Sequence, residues 1–208
     1  LTESDAARLL RARGIAMQDA VPVGVGAMAA LLGLDFDTVC AVAEEAAQGD
    51  VCQAANDNDP AQVVVSGHKA AVERALDIAK QKGAKRASLL PVSAPFHCSL
   101  MAPAAEVMAH ELASVAFAAP SVPVVSNVLA QGVSDPAKIR ALLVDQITGS
   151  VRWRESVMLM AAAGVTEVFE VGAGKALSGM VKRVDRTLTA TSVITPDDVR
   201  AVAALINK

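Results

Sequence analysis

Apolar positions recur along the chain with two different periods, and the change from one to the other marks its first boundary. Near the start, Ala6, Leu9, Leu10 and Ile15 hold a rough helical spacing. Ser4 or Asp5 can cap that helix, and Val21-Pro22 breaks it, because proline lacks the N–H a helix needs. From Gly26 the pattern changes. The run Ala27-Met28-Ala29-Ala30-Leu31-Leu32 predicts a short buried strand, after which Asp35 or Asp37 opens a helix through Glu44-Glu45-Ala46. Two more strands are predicted over 51–54 and 62–66, separated by the turn-rich string Asn56-Asp57-Asn58-Asp59-Pro60. A helix follows over 69–82, with Val72, Ala75, Leu76 and Ala79 on one face and Gly83 as its stop, and 87–92 is extended. The order βαββαβ is the ferredoxin-like pattern, and it sets a small unit, 24–93, apart from 1–23 and 94–208.

Beyond Ser93 helices alternate with short strands. Pro103 starts a helix, 122–126 is strand-like, 136–148 and 154–163 are helical, and 167–171 is strand-like again. Val171-Gly172-Ala173-Gly174-Lys175 then turns into a helix through Arg183, 189–194 forms a last strand, and Pro196 opens the terminal helix. That rhythm predicts an α/β layer architecture.

Composition narrows the partners. A hydrophobic fraction of 53% against 20% charged residues argues for a folded chain, yet charged and turn-forming residues interrupt every apolar run well short of a membrane-spanning helix. With 19 basic and 22 acidic residues the net charge is -3, without the basic excess of a nucleic-acid binder, and an aromatic content of 2% leaves no platform for stacking bases. Cys40, Cys52 and Cys98 are an odd number at wide spacings, which fits neither a disulfide framework nor a C-x-x-C metal knuckle and points to a reducing cytoplasm. Nothing in the sequence supports a metal site. The opening Leu1-Thr2-Glu3-Ser4-Asp5 has no initiator Met and no signal pattern, and reads as an interior starting point.

Gly24-Val25-Gly26-Ala27-Met28-Ala29 satisfies a G-x-G-x-x-A dinucleotide fingerprint, but Pro22 precedes it and a strand follows it, the reverse of the strand-to-helix context that motif needs. Gly172-Ala173-Gly174-Lys175 lacks the spacing of a P-loop and reads as a tight turn. His68 and His110 read as capping or solvated residues. His97 differs because Pro95-Phe96-His97-Cys98-Ser99 lies at the exit from the small unit, where a loop faces a cleft; from the residues alone a structural histidine is an equal reading. Arg13, near the end of the first helix, reads by default as solvated, and the run from Lys80 to Arg86 reads as an exposed charged end or a docking patch for an acidic protein.

Taken together, Arg11-Ala12-Arg13-Gly14 with Met17-Gln18, Gly26-Ala27-Met28-Ala29-Ala30, Gln62-Val63-Val64-Val65-Ser66-Gly67-His68, Pro95-Phe96-His97-Cys98, Val151-Arg152-Trp153 and Phe169-Glu170-Val171-Gly172-Ala173-Gly174-Lys175 resemble the malonyl-CoA:acyl-carrier-protein transacylase family over nearly the whole chain. The resemblance implies an α/β-hydrolase-like large subdomain, here 1–23 and 94–208, with the ferredoxin-like unit 24–93 inserted. It implies malonyl transfer from coenzyme A, through a seryl ester, to the phosphopantetheine thiol of acyl carrier protein in fatty-acid synthesis, with no cofactor beyond the coenzyme A thioester. His97 matches the catalytic histidine, and Gln146 stands where a backbone carbonyl orients the imidazole. Arg13 matches the arginine that grips the malonyl carboxylate. Met17 is expected to line the same pocket, and Asn58 and Gln62 match positions near the pantetheine arm. Phe96, immediately before the histidine, matches a residue that goes with malonyl selection in related polyketide acyltransferases.

One departure is large. The family's nucleophile sits in a G-x-S-x-G elbow, and no such string occurs in the 208 residues; Gly132-Val133-Ser134 fails at Asp135-Pro136. The family's glutamine-rich loop before the Arg13 helix is absent too. The chain is therefore expected to be the C-terminal two-thirds of the enzyme, inactive alone and monomeric when complete. The alternative is a non-catalytic fragment or pseudoenzyme that binds acyl carrier protein, and a nucleotide-binding α/β protein ranks behind both.

Overall fold

Thr2, and not Ser4 or Asp5, caps the first helix in the computed structural model, which describes residues 1–206. The Asp5 N–H donates to Thr2 Oγ1 at 3.1 Å, while the Thr2 hydroxyl donates to the Asp5 carboxylate at 2.7 Å, a reciprocal cap that starts α1 (Glu3–Asp19). By contacts the chain divides into Leu1–Trp153 and Arg154–Lys208.

In the first unit, β1 (Gly26–Leu32), α2 (Phe36–Ala47), β2 (Cys52–Asp59), β3 (Gln62–His68), α3 (Lys69–Gln81) and β4 (Arg86–Leu89) follow in βαββαβ order. Their strands make one sheet, ordered β2-β3-β1-β4, with every neighbour antiparallel. The two-residue period of a strand assigns its faces. On β1, Ala29 and Leu31 are fully buried with Val63 and Val65 of β3 against Val39 and Val42 of α2 and Val72 and Ala75 of α3. Met28 and Ala30 point the other way, with Val64 and Ala55, and there Leu90 and Phe96 pack on them. The sheet is thus covered by helices on one face and, on the other, by the segment that carries His97.

The expected turn at Asn56–Asp59 is instead strand. β2 runs through Asp59 with irregularities between Ala54 and Asn56 and between Asp57 and Asp59, leaving only Pro60 and Ala61 to turn. The cause is remote: Asn56 pairs in parallel with Val151, the Asp57 N–H donates to the Val151 carbonyl at 2.9 Å, and the Val151 N–H donates to Ala55 at 2.8 Å. A partner far along the chain thus overrides local turn propensity.

α1 packs with α4 (Ala102–Ala113) and α5 (Pro136–Thr148) around Leu9, Met17, Met101, Met108, Leu112 and Ile147. A hairpin of β5 (Val124–Ser126) and β6 (Gln131–Val133) lies between α4 and α5 in sequence; β6 was not predicted, because its residues carry no apolar alternation.

The second unit holds most of α6 (Trp153–Ala162), then β7 (Glu167–Val171), α7 (Ala176–Val184), β8 (Thr189–Val193) and α8 (Pro196–Ile206). β7 and β8 pair in parallel with Glu167 opposite Thr189. Between β7 and α7, Gly172 and Gly174 take φ of 139° and 101°, which L side chains rarely adopt, so this string is a turn that requires glycine. Glu170 fastens it to the helix by accepting from the Ser178 hydroxyl at 2.6 Å and the Ser178 N–H at 2.7 Å.

Among the described residues no helix is long and apolar enough to cross a membrane.

Candidate active site

His97 occupies a backbone conformation that most residues avoid, with φ of 57°. Several contacts hold its loop there. Pro95 is seated against Gly26, where a Cβ would come within 2.3 Å of the proline ring, so the glycine that opens β1 is what admits the loop. The Cys98 thiol donates to the Pro95 carbonyl at 3.1 Å, and the Ser99 N–H donates to Gln53 Oε1 of β2 at 2.7 Å. Just upstream, the Ser93 hydroxyl donates to Gln18 Oε1 of α1 at 2.6 Å. The loop therefore reaches α1, β1 and β2 at once.

The imidazole is largely buried, and its Nδ1 lies 2.9 Å from the Gln146 carbonyl at the end of α5. A carbonyl only accepts, so Nδ1 carries the proton and Nε2 is the basic nitrogen. Burial pushes the His97 pKa below its ordinary 6.5, the nearby Arg13 charge pushes the same way, and the Gln146 and Gly149 carbonyls oppose both. His97 is consequently a neutral base at pH 7.

Arg13 and Met17 lie one turn apart on α1 and share a face. Met17 is buried in the helical core, against which Phe96 also packs. Arg13 is half-buried, and burial alone lowers its pKa; no carboxylate among the described residues acts on it. A half-buried guanidinium with no carboxylate partner among the described residues is a prepared site for an anion, and its planar fork matches a carboxylate. Cys98 is fully buried, and burial raises its pKa, which favours the protonated, weakly nucleophilic thiol.

Comparison with known proteins decides the family. The family described as "Acyl transferase domain" matches residues 1–171. The chain belongs to this acyl transferase family. It is 50% identical over 202 residues to the malonyl CoA-acyl carrier protein transacylase of Escherichia coli (strain K12), a match covering 97% of this chain and 65% of that protein. The crystal structure of acyl-carrier-protein-S-malonyltransferase from Bartonella henselae superposes with a TM-score of 0.94 at 50% identity, covering 98% of this chain and 65% of that one. A malonyl-transacylase solved in complex with a type II PKS acyl-carrier protein superposes with a TM-score of 0.88 at 42% identity, covering 97% and 64%. This acyl transferase chain thus spans just under two thirds of the length of these relatives.

Of the residues expected to act in the acyl transferase site, the structure brings Arg13, Met17, Phe96, His97 and Gln146 together. Asn58 is buried on β2 and Gln62 begins β3, at the turn end of that hairpin; neither is hydrogen-bonded to His97, Arg13 or Gln146. Sequence reasoning missed Gln53, Gly26 and Gly149 as parts of the site. Gln53 carries no local signal, since it sits exposed on a strand. Gly149 could have been noticed as the glycine that follows the α5 pattern, and Gly26 as a glycine where a strand begins.

Proposed function

We propose that this chain is the histidine- and arginine-bearing part of a malonyl-CoA:acyl-carrier-protein transacylase. The observation that carries the reading is an unpaired, half-buried Arg13 acting on a neutral, carbonyl-oriented His97. The name of the Escherichia coli relative and the solved carrier-protein complex support malonyl-CoA and acyl carrier protein as its partners.

In the proposed reaction His97 Nε2 takes the proton of a serine hydroxyl as its oxygen bonds to the malonyl thioester carbon. The C–S bond then breaks, and the imidazolium returns the proton to the coenzyme A thiolate. The second half repeats these steps with the phosphopantetheine thiol attacking the seryl ester and the serine leaving. Arg13 holds the malonyl carboxylate throughout. Met17 and Phe96 wall the pocket, with Phe96 leaving no room for an α-methyl group, while Asn58 and Gln62 flank the pantetheine arm. No cofactor is required beyond the thioester itself. The serine, expected in a G-x-S-x-G elbow, comes from the part of the relatives' length that this chain does not span. The finer fold reading is an α/β-hydrolase-like subdomain, 1–23 and 94–208, with a ferredoxin-like insert, 24–93; the antiparallel βαββαβ sheet supports the insert. Fatty-acid synthesis in the cytoplasm is the proposed setting, which suits three free thiols.

The test is a chimera in which the remaining third of the Escherichia coli relative completes this chain, assayed for transfer of labelled malonyl from malonyl-CoA to holo acyl carrier protein. Transfer is expected from the chimera and no acyl-protein from the 208-residue chain alone. Carrier-protein binding without transfer by the chimera would overturn the enzymatic reading in favour of a binding module.

A further inference from the structure

The end of α5 is built around more than the carbonyl that meets His97. A helix leaves its last carbonyls without intrahelical partners. Here the Asp145 carbonyl takes the Gly149 N–H at 2.8 Å, which leaves the Gln146 carbonyl directed at the imidazole. Gly149 is sterically required for this turn, because a Cβ would lie 2.8 Å from the Asp145 carbonyl. The segment is anchored on both sides, by the fully buried Ile147 in the helical core and by Val151 paired to β2. Just before the first anchor, the Gln146 side chain reaches forward along the turn, and its Nε2 donates to the Gly149 carbonyl at 3.1 Å.

We propose that the Gln146 side-chain amide positions the catalytic imidazole: by closing on the Gly149 carbonyl it fixes the Gln146 carbonyl on His97 Nδ1 and so keeps Nε2 unprotonated. The amide never touches the reacting atoms. It acts through the turn, and a side chain without a donor at this position would lose the closure on the Gly149 carbonyl, leaving the bonds to the Asp145 carbonyl. The Gly149 carbonyl itself favours the protonated ring and acts beside that of Gln146, while Arg13 is the charged group that works against protonation from α1. Fixing the Gln146 carbonyl on Nδ1 therefore selects one tautomer of a largely buried ring. The use made of Nε2 rests on the acyl-transfer reading; the positioning itself does not.

The experiment uses the 208-residue chain labelled with 15N, in which ring nitrogen shifts report the tautomer of each histidine and a His97→Gln variant identifies the His97 signals. Two near-isosteric variants remove the donor at neutral pH, Gln146→Met and Gln146→Glu, so that either serves if the other fails to fold. In the unaltered chain the Nδ1–H form is expected to dominate. Each variant is expected to lower the Nδ1–H to Nε2–H ratio by about 5-fold, the scale of one neutral hydrogen bond, with Tm nearly unchanged. An unchanged ratio in a folded variant would overturn the proposal, whatever happens to Tm. A ratio that falls while the completed chimera transfers no malonyl would uphold the positioning and sink the reading of function, so the two are separable.

Discussion

Glu170 and Arg13 both titrate below their ordinary values, and the shared direction means opposite things. Hydrogen bonds from Ser178, side chain first and backbone second, lower Glu170 by favouring its charged form. Burial lowers Arg13 by disfavouring its charged form. The carboxylate is partly buried and accepts from the Leu177 and Ser178 N–H groups and the Ser178 hydroxyl, and its work is to tie a glycine turn to a helix. The guanidinium is half-buried, with no carboxylate among the described residues to answer it. A perturbed group whose charge is already satisfied reports architecture, whereas one whose charge is left wanting reports a ligand. His97 falls on the Arg13 side of this divide, because burial, more than any partner, sets its value.

Five measurements would break or sharpen that contrast, and the first four use the completed chimera. The largest effect is expected from His97→Ala, which should slow acylation by about 10²–10⁴-fold, the scale of a lost general base. In the unaltered chimera kcat/KM should fall with acid only below pH 6.5, since the folded pKa lies under that ordinary value. An acid limb above it would mean that His97 is not the burial-depressed base described above.

Next, Arg13→Ala should cut malonyl transfer by about 10²-fold or more while leaving acetyl transfer equal or faster, because only malonyl brings a carboxylate to the vacated site. Equal losses for the two acyl groups would assign Arg13 to architecture after all. Phe96→Ser should raise the methylmalonyl to malonyl ratio of kcat/KM by roughly 10-fold, within the range a methyl-sized pocket provides. Phe96 also packs against both the helical core and the open face of the sheet. If that packing is its whole role, Tm will drop at constant selectivity.

The smallest effect belongs to Glu170. Its folded pKa is depressed, so the stability it contributes is present above the ordinary 4.5 and is lost as pH falls from there through the folded value. Glu170→Gln should lower Tm by a few degrees at pH 7 and flatten the loss of Tm with acid below pH 4.5, with the His97 ring signals unmoved. A shifted His97 signal would contradict its assignment as a local tie.

How far the sequence reveals such features depends on how local their causes are. The sheet residues of β1 are legible because Met28 and Ala30 alternate with Ala29 and Leu31, and both sets find apolar cover. The Asn56–Asp59 stretch is not legible, since its extended form depends on Val151 and its own residues favour a turn. Arg11 and Arg13 look alike in a string; the fold exposes the first and half-buries the second. The family resemblance had already singled out Arg13, together with His97 and Gln146, but it named neither the Gln53 contact nor the amide bond to Gly149. Those depend on side-chain geometry that no spacing records.

The site's hydrogen bonds also fix when it comes into being. Ser99 meets Gln53 across 46 residues, His97 meets Gln146 across 49, and Ser93 meets Gln18 across 75. Each is a long loop that must close before any contact rewards the lost entropy. On a chain emerging from the ribosome, the βαββαβ sheet has all its strands once Leu89 is out, whereas His97 has no acceptor until Gln146 follows. The imidazole is thus expected to reach its native environment only after the βαββαβ sheet has its strands, and its ring signals would serve in refolding experiments as a clock for that later step.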